Sequence, residues 1–90
     1  MRESAVKSAE RMENIAQNIR LMMCAQRVSV TDMAERLDLT RQTLGDRLGK
    51  HPERLQLGEI ANIARVLNTT LDRLICGEYR LMREDTKHER

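Results

Sequence analysis

The sequence predicts an all-α protein of five helices, and three observations carry that prediction. The composition is rich in Arg, Glu, Leu, Ala and Met, has 1% aromatic residues and lacks Trp and Phe, which favours helices over strands. Apolar residues recur every three or four positions along most of the chain. Residues that begin and end helices lie between these periodic stretches. At 90 residues the chain has room for one core, which must be aliphatic.

The first helix is predicted from Glu13 to Ala25, where apolar residues line one face. Residues 1–12 form either a loose N-terminal arm or an extension of this helix, and Ser4 is a plausible cap for the extended form. The extension is favoured by apolar residues at helical spacing: Val6, Ala9, Ala16, Ile19 and Met23.

Two short helices, Val30–Leu37 and Arg41–Leu48, are predicted on either side of a tight turn at Asp38. The side-chain oxygens of Ser29 and Thr40 can each accept from free amides in the first turn of the helix that follows. If the two helices cross steeply, five apolar side chains point inward: Met33, Ala34, Leu37, Leu39 and Leu44. This is the pattern of a helix-turn-helix, whose second helix enters the major groove of DNA.

A break is predicted after this pair of helices. Gly49 suits a helix end in the left-handed conformation, and Pro52 prevents the helix from continuing. A fourth helix follows over Gln56–Asn68, and Asn68 can end it in a left-handed cap. Its wide apolar stripe predicts that it braces the core: Leu57, Ile60, Ala61, Ile63, Ala64 and Leu67.

The fifth helix can be capped by Thr69 or Thr70, and Gly77 is its predicted stop. Beyond it, the charged tail 78–90 has no domain core left to cover. If Gly77 does not break the helix, one apolar stripe continues into the tail through Leu71, Ile75, Tyr79 and Met82. A partner subunit is the natural use of that stripe, and a frayed end is the alternative. The candidate dimer-interface residues are Tyr79, Leu81 and Met82. The predicted organisation is thus an arm or helix extension over 1–12, a domain over 13–77 and a tail, possibly helical, over 78–90.

Metal and catalytic chemistry are not expected. Cys24 and Cys76 have neither CxxC nor Cys/His spacing and lie among apolar neighbours, so we expect buried free thiols and no metal site. His51 and His88 are isolated, and no nucleophile–base pair or phosphate-binding glycine loop is recognisable. We therefore expect that the protein is not an enzyme and has no cofactor.

The net charge of +2 is too small to predict a nucleic-acid partner by itself, although it suits two subunits that share the phosphate contacts. The N-terminus lacks the apolar region of a secretory signal, and no run of about 20 apolar residues is present. We therefore expect a soluble, cytoplasmic protein that does not span a membrane.

Two segments together resemble the Cro and lambda-repressor type helix-turn-helix family, often called the XRE family. SVTDMAERLDLTRQTL is similar to the second and third helices of that family, and IANIARVLNTTLDRLICG is similar to its fourth and fifth. The resemblance covers roughly Asn14 to Gly77 and implies a five-helix, lambda-repressor-like DNA-binding domain, here with helical N- and C-terminal extensions. Asp38 stands where the family usually has Gly, and Arg47 where it has an apolar residue. Either Leu48 replaces that packing or Arg47 faces outward toward phosphate.

The resemblance implies that the start of the third helix, Arg41 and Gln42, meets the base edges. Arg can donate to guanine O6 and N7, and Gln can bond adenine N6 and N7. Gly45 and Asp46 follow one turn later on the same outward face. Gly45 would allow a close approach, or it is a tolerated weak point of the helix. Asp46 could accept from cytosine N4 or repel phosphate and tune the register. The candidate phosphate contacts are Ser29, Thr31, Thr40, Thr43, Arg47, Lys50, His51 and Arg54.

The expected function is sequence-specific binding of double-stranded DNA by a transcriptional regulator, a phage- or prophage-type repressor, that reads the major groove with helix 41–48. A small monomer would bind weakly, so we expect a homodimer on a palindromic operator. No small-molecule ligand is expected, because no second, effector domain accompanies the helices. The alternative is an antitoxin-like or adaptor module that binds a protein through the same fold. Asp38, Asp46 and the low net charge keep that alternative open.

Overall fold

The computed structural model describes the backbone of residues 2–76 and the side chains of residues 10–76. Five α-helices and one 3₁₀ turn, Pro52–Arg54, make up this part of the chain, and no strand occurs in it. The helices are α1 (Arg2–Gln26), α2 (Val30–Leu37), α3 (Arg41–Leu48), α4 (Leu57–Val66) and α5 (Leu71–Cys76). The predicted all-α, five-helix fold is confirmed. Among the described helices, none combines the length and the apolar character needed to cross a membrane.

Helix α1 is the longest of the described elements and supplies buried side chains to the core. It begins at Arg2, so Ser4 lies within the helix and is not its cap. It packs against α3, the 3₁₀ turn and α5. Arg27 ends it in the left-handed conformation with φ 59°, and the amide of Val28 donates to Met23 O at 2.8 Å. This bond closes the last turn, as happens in helices that end at a glycine.

The core is aliphatic, as the composition requires. It draws buried side chains from every helix, including Ile15, Ile19, Met33, Leu44 and Leu74. One polar side chain, Asn18, is also fully buried within it, and its Nδ2 donates to Leu74 O at 2.9 Å. Gln26 Nε2 donates to Leu67 O at 2.7 Å. Side-chain bonds from α1 to backbone carbonyls at the end of α4 and within α5 thus fix how α1 meets these two helices.

Three predictions about individual residues are wrong. Cys24 and Cys76 are free but exposed. Cys24 follows the buried Met23 directly, and neighbouring residues of a helix point about 100° apart. Leu57 is 63% exposed, because it is the first residue of α4 and lies beyond the edge of the core.

The third wrong prediction concerns Gly49, whose φ of −114° is not left-handed. Packing explains the glycine instead: a Cβ at this position would lie 3.1 Å from Gly45 O. Asn68, in contrast, ends α4 with φ 57°, as predicted. Thr70 is the residue that caps α5, because its hydroxyl oxygen accepts from the amide of Arg73 at 3.1 Å.

Candidate nucleic-acid interface

The helix-turn-helix begins at α2, and local chemistry sets its bounds as predicted. Ser29 Oγ accepts from the amide of Asp32 at 3.1 Å, which caps the helix. Asp38 then adopts φ 59°, ψ 41°, the left-handed conformation that turns the chain. The amide of Leu39 donates to Ala34 O at 2.9 Å and seals the turn. Asp tolerates this backbone better than most residues, so the turn forms without glycine.

Thr40 caps α3, as predicted. Its Oγ1 accepts from the amide of Thr43 at 3.1 Å, and its hydroxyl donates to Thr43 Oγ1 at 2.8 Å. Leu44 and Leu48, one turn apart, are both buried and attach α3 to the core. Leu48, not Arg47, therefore takes the inward position that the sequence left undecided.

The outward side of α3 is polar and thin. Arg41 and Gln42 are exposed at its start, and Gly45 is exposed one turn later. A Cβ at Gly45 would meet nothing within 4 Å, so packing does not require glycine there. The structure therefore brings the predicted base-contact residues of α3 to its accessible face, with Asp46 half-buried beside them.

Three of the predicted phosphate-contact side chains at the end of α3 are paired with carboxylates. Arg54 Nη1 lies 3.9 Å from Asp46 Oδ2, and the Arg54 side chain is largely exposed. Arg47 forms an ion pair with Glu59 on α4. His51 Nδ1 lies 3.0 Å from Glu53 Oε2. The exposed Lys50 also lies in this region, and no carboxylate among the described residues pairs with it.

The carboxylate of Glu53 is stabilised in its charged form. A hydrogen bond from its own backbone, and next the hydrogen bond from His51, lower the pKa of Glu53. Because Glu53 is at the surface, this is a local electrostatic feature and a small contribution to stability.

The hydroxyl groups proposed for phosphate lie at the starts of α2 and α3. Ser29, Thr31 and Thr40 are exposed, and Thr43 is half-buried. Ser29 and Thr40 serve as helix caps, but a hydroxyl that accepts from an amide can still donate its own hydrogen. In the hydrogen-bonded pair of Thr40 and Thr43, one hydroxyl hydrogen is used within the pair and the other is left to donate outward.

Sequence reasoning missed Glu59. One carboxylate oxygen, Oε1, accepts from the amide of Gln56 at 3.1 Å, and the other binds Arg47. The role of Glu59 as an acceptor had a local signal. A Glu at the third position of a helix is typical of a capping box, in which it accepts from the amide of the residue just before the helix. The pairing with Arg47 had none, since it joins residues that only the fold brings together. The proposed interface residues Tyr79, Leu81 and Met82 lie outside the described residues.

A comparison with known protein families agrees with this helix-turn-helix geometry. The family model of the Cro/C1-type helix-turn-helix DNA-binding domain matches residues 18–75, which include the first segment that carried the resemblance and all but the last two residues of the second. No significant match was found among curated proteins or among solved structures.

Proposed function

Because the chain belongs to the Cro/C1-type helix-turn-helix DNA-binding domain family, we propose that it is a sequence-specific regulator of transcription that reads the major groove with α3. The observation that carries this proposal is the two-sided character of α3. Leu44 and Leu48 are buried on one side, and Arg41, Gln42 and Gly45 are exposed on another. A helix presented in this way can enter the groove with its first turn against the bases.

Arg41 and Gln42 are the proposed base-reading residues. A bidentate contact from Arg to guanine or from Gln to adenine discriminates by about 1–3 kcal/mol. Asp46 would accept from cytosine N4, and Gly45 would let the backbone of α3 approach the groove. Arg54 supports Asp46 in this role, since its guanidinium at 3.9 Å offsets the repulsion between Asp46 and nearby phosphates.

The proposed phosphate contacts flank α3 on both sides. Hydroxyl groups at the starts of α2 and α3 lie before the reading face, and Lys50, His51 and Arg54 lie after it. Contacts of this kind set the register of a protein on the duplex but carry no sequence information. The hydroxyl set comprises Ser29, Thr31, Thr40 and Thr43.

A homodimer on a palindromic operator is the proposed assembly, and a phage- or prophage-type repressor is the proposed role. A domain this small contacts few bases, whereas two copies on half-sites about one helical turn apart combine their contacts. The dimer contact would come from the α1 extension or from Tyr79, Leu81 and Met82.

Selection of bound duplexes from a random library, followed by a salt series on the selected site, tests the proposal. We expect a short palindrome and an affinity that falls steeply as salt rises, because phosphate binding releases counterions. If no sequence is enriched and no salt-sensitive binding is found, the regulator proposal fails. Co-purification of a specific protein partner would then favour the antitoxin-like or adaptor role, which the pairing of Arg47 and Arg54 with carboxylates makes worth testing.

A further inference from the structure

The ion pair between Arg47 and Glu59 joins the end of α3 to the first turn of α4. Both side chains are mostly shielded from water, with 23% and 18% of their surfaces exposed. Glu59 is itself held in place, because its Oε1 accepts from the amide of Gln56 at 3.1 Å. The backbone of α3 packs on α1, α2 and the 3₁₀ turn but makes little contact with α4. The pair is therefore a side-chain tether between two helices whose backbones do not approach closely.

This tether lies where α3 needs a further anchor. Leu44 and Leu48 are the buried side chains of α3 and lie one turn apart on one side of it, so they oppose a roll of the helix less than an anchor on another side does. Arg47 projects about 100° around the helix from Leu48, so an attachment there opposes the roll. The helix RQTLGDRL is short and includes Thr, Gly and Asp, which are weak helix formers. Its orientation must therefore come from such tertiary anchors.

We infer that Arg47 is a positioning residue: it acts through Glu59 to fix the roll of α3, and it does not contact phosphate. The inference rests on the proposed function. Side-chain ends lie about 5–6 Å from a helix axis, so a roll of about 10° moves Arg41 and Gln42 by about 1 Å. That shift exceeds the spread of good hydrogen-bond distances, and bidentate base contacts would be lost. Contacts from long, flexible side chains such as Lys50 to phosphate would survive it.

Three variants test this assignment: Arg47→Met, Glu59→Gln and the double variant. Gln at position 59 keeps an oxygen that can accept from the amide of Gln56, so the start of α4 is preserved. Each single change is expected to weaken binding to the selected operator roughly tenfold, the scale of one good base contact. The double variant should be no weaker than Arg47→Met. Affinity for random-sequence DNA and the dependence of operator binding on salt should stay as in the unaltered protein.

A phosphate contact at Arg47 predicts the opposite result for Glu59→Gln. Release of Arg47 from its carboxylate would then leave DNA binding equal or tighter, and Arg47→Met would reduce the slope of log K against log salt by about 0.9. Either outcome overturns the inference. Lys50→Met is the matched control, because loss of a phosphate contact should lower that slope. Thermal unfolding establishes that each variant is folded. If the unaltered protein binds no DNA, the proposed function fails, whereas neutral binding by Glu59→Gln defeats this inference alone.

Discussion

At the scale of single residues, no contact among the described residues explains Gly45. It occupies the middle of α3, where glycine is unfavourable by about 1 kcal/mol relative to alanine. A Cβ there would meet nothing within 4 Å, so the glycine relieves no clash. Gly49 differs, because a Cβ there would lie 3.1 Å from Gly45 O. The proposed close approach of DNA to α3 gives Gly45 a reason.

Gly45→Ala is accordingly expected to raise stability and to weaken DNA binding. The free energy of unfolding should rise by about 0.5–1 kcal/mol, as measured by urea denaturation, while operator affinity falls because the added methyl obstructs close approach. Gly58→Ala is the matched control: it is equally open, lies outside the proposed contacts, and should leave operator affinity unchanged. Unchanged operator affinity in Gly45→Ala would contradict the proposed close approach.

The carboxylate of Glu53, held by its backbone hydrogen bond and next by His51, makes a small contribution to stability that depends on pH. The pKa of Glu53 is lowered below its ordinary value of 4.5 in the folded protein. A lowered pKa stabilises the fold above the ordinary value, and that stabilisation is lost as pH falls through the folded-state pKa. Glu53→Gln should therefore narrow the difference in melting temperature between pH 7 and pH 3. If melting temperature depends on pH identically in the variant and the unaltered protein, the charge of Glu53 contributes nothing to stability.

At the scale of elements, the helix-turn-helix was predictable because its signals are local. Ser29 and Thr40 cap their helices, because the side-chain oxygen of each accepts from the amide three residues later. The bounds of α2 and α3 follow from those caps and from Asp38. Features set by packing between distant parts of the chain were not predictable: the exposure of Cys24, the 3₁₀ turn and the tether from Arg47 to Glu59. A single sequence records periodicity and caps, but not which of two adjacent residues a neighbouring helix covers.

The turn itself yields a prediction, because Asp38 has φ 59°. Asp38→Ala should lower the free energy of unfolding by about 1 kcal/mol, since a Cβ without a polar group is disfavoured in this conformation. Asp38→Gly should be at least as stable as the unaltered protein, because glycine adopts this conformation freely. Equal destabilisation by both variants would mean that the Asp38 side chain, and not its backbone conformation, matters. Chemical denaturation of the three proteins distinguishes these results.

At the scale of the whole molecule, affinity is expected to depend on assembly. Each copy presents one α3, so tight binding to a palindrome requires two copies. If the tail forms the contact, replacing Tyr79, Leu81 and Met82 with Ser should convert a dimer into a monomer in sedimentation experiments. The same change should reduce affinity for a full palindrome toward that for one half-site. A dimer that persists in this variant would move the proposed interface to α1.

The central claim is that α3 reads bases through Arg41 while Lys50 holds phosphate. Binding of Arg41→Ala and Lys50→Ala to the selected operator and to all single-base variants of one half-site tests it most directly. We predict that Arg41→Ala loses discrimination at one position of the half-site, by about 1–3 kcal/mol. Lys50→Ala should weaken every sequence alike and lower the salt slope by about 1. If both variants lose affinity uniformly, or if Arg41→Ala keeps the full base preference, the proposed reading of DNA by α3 is wrong.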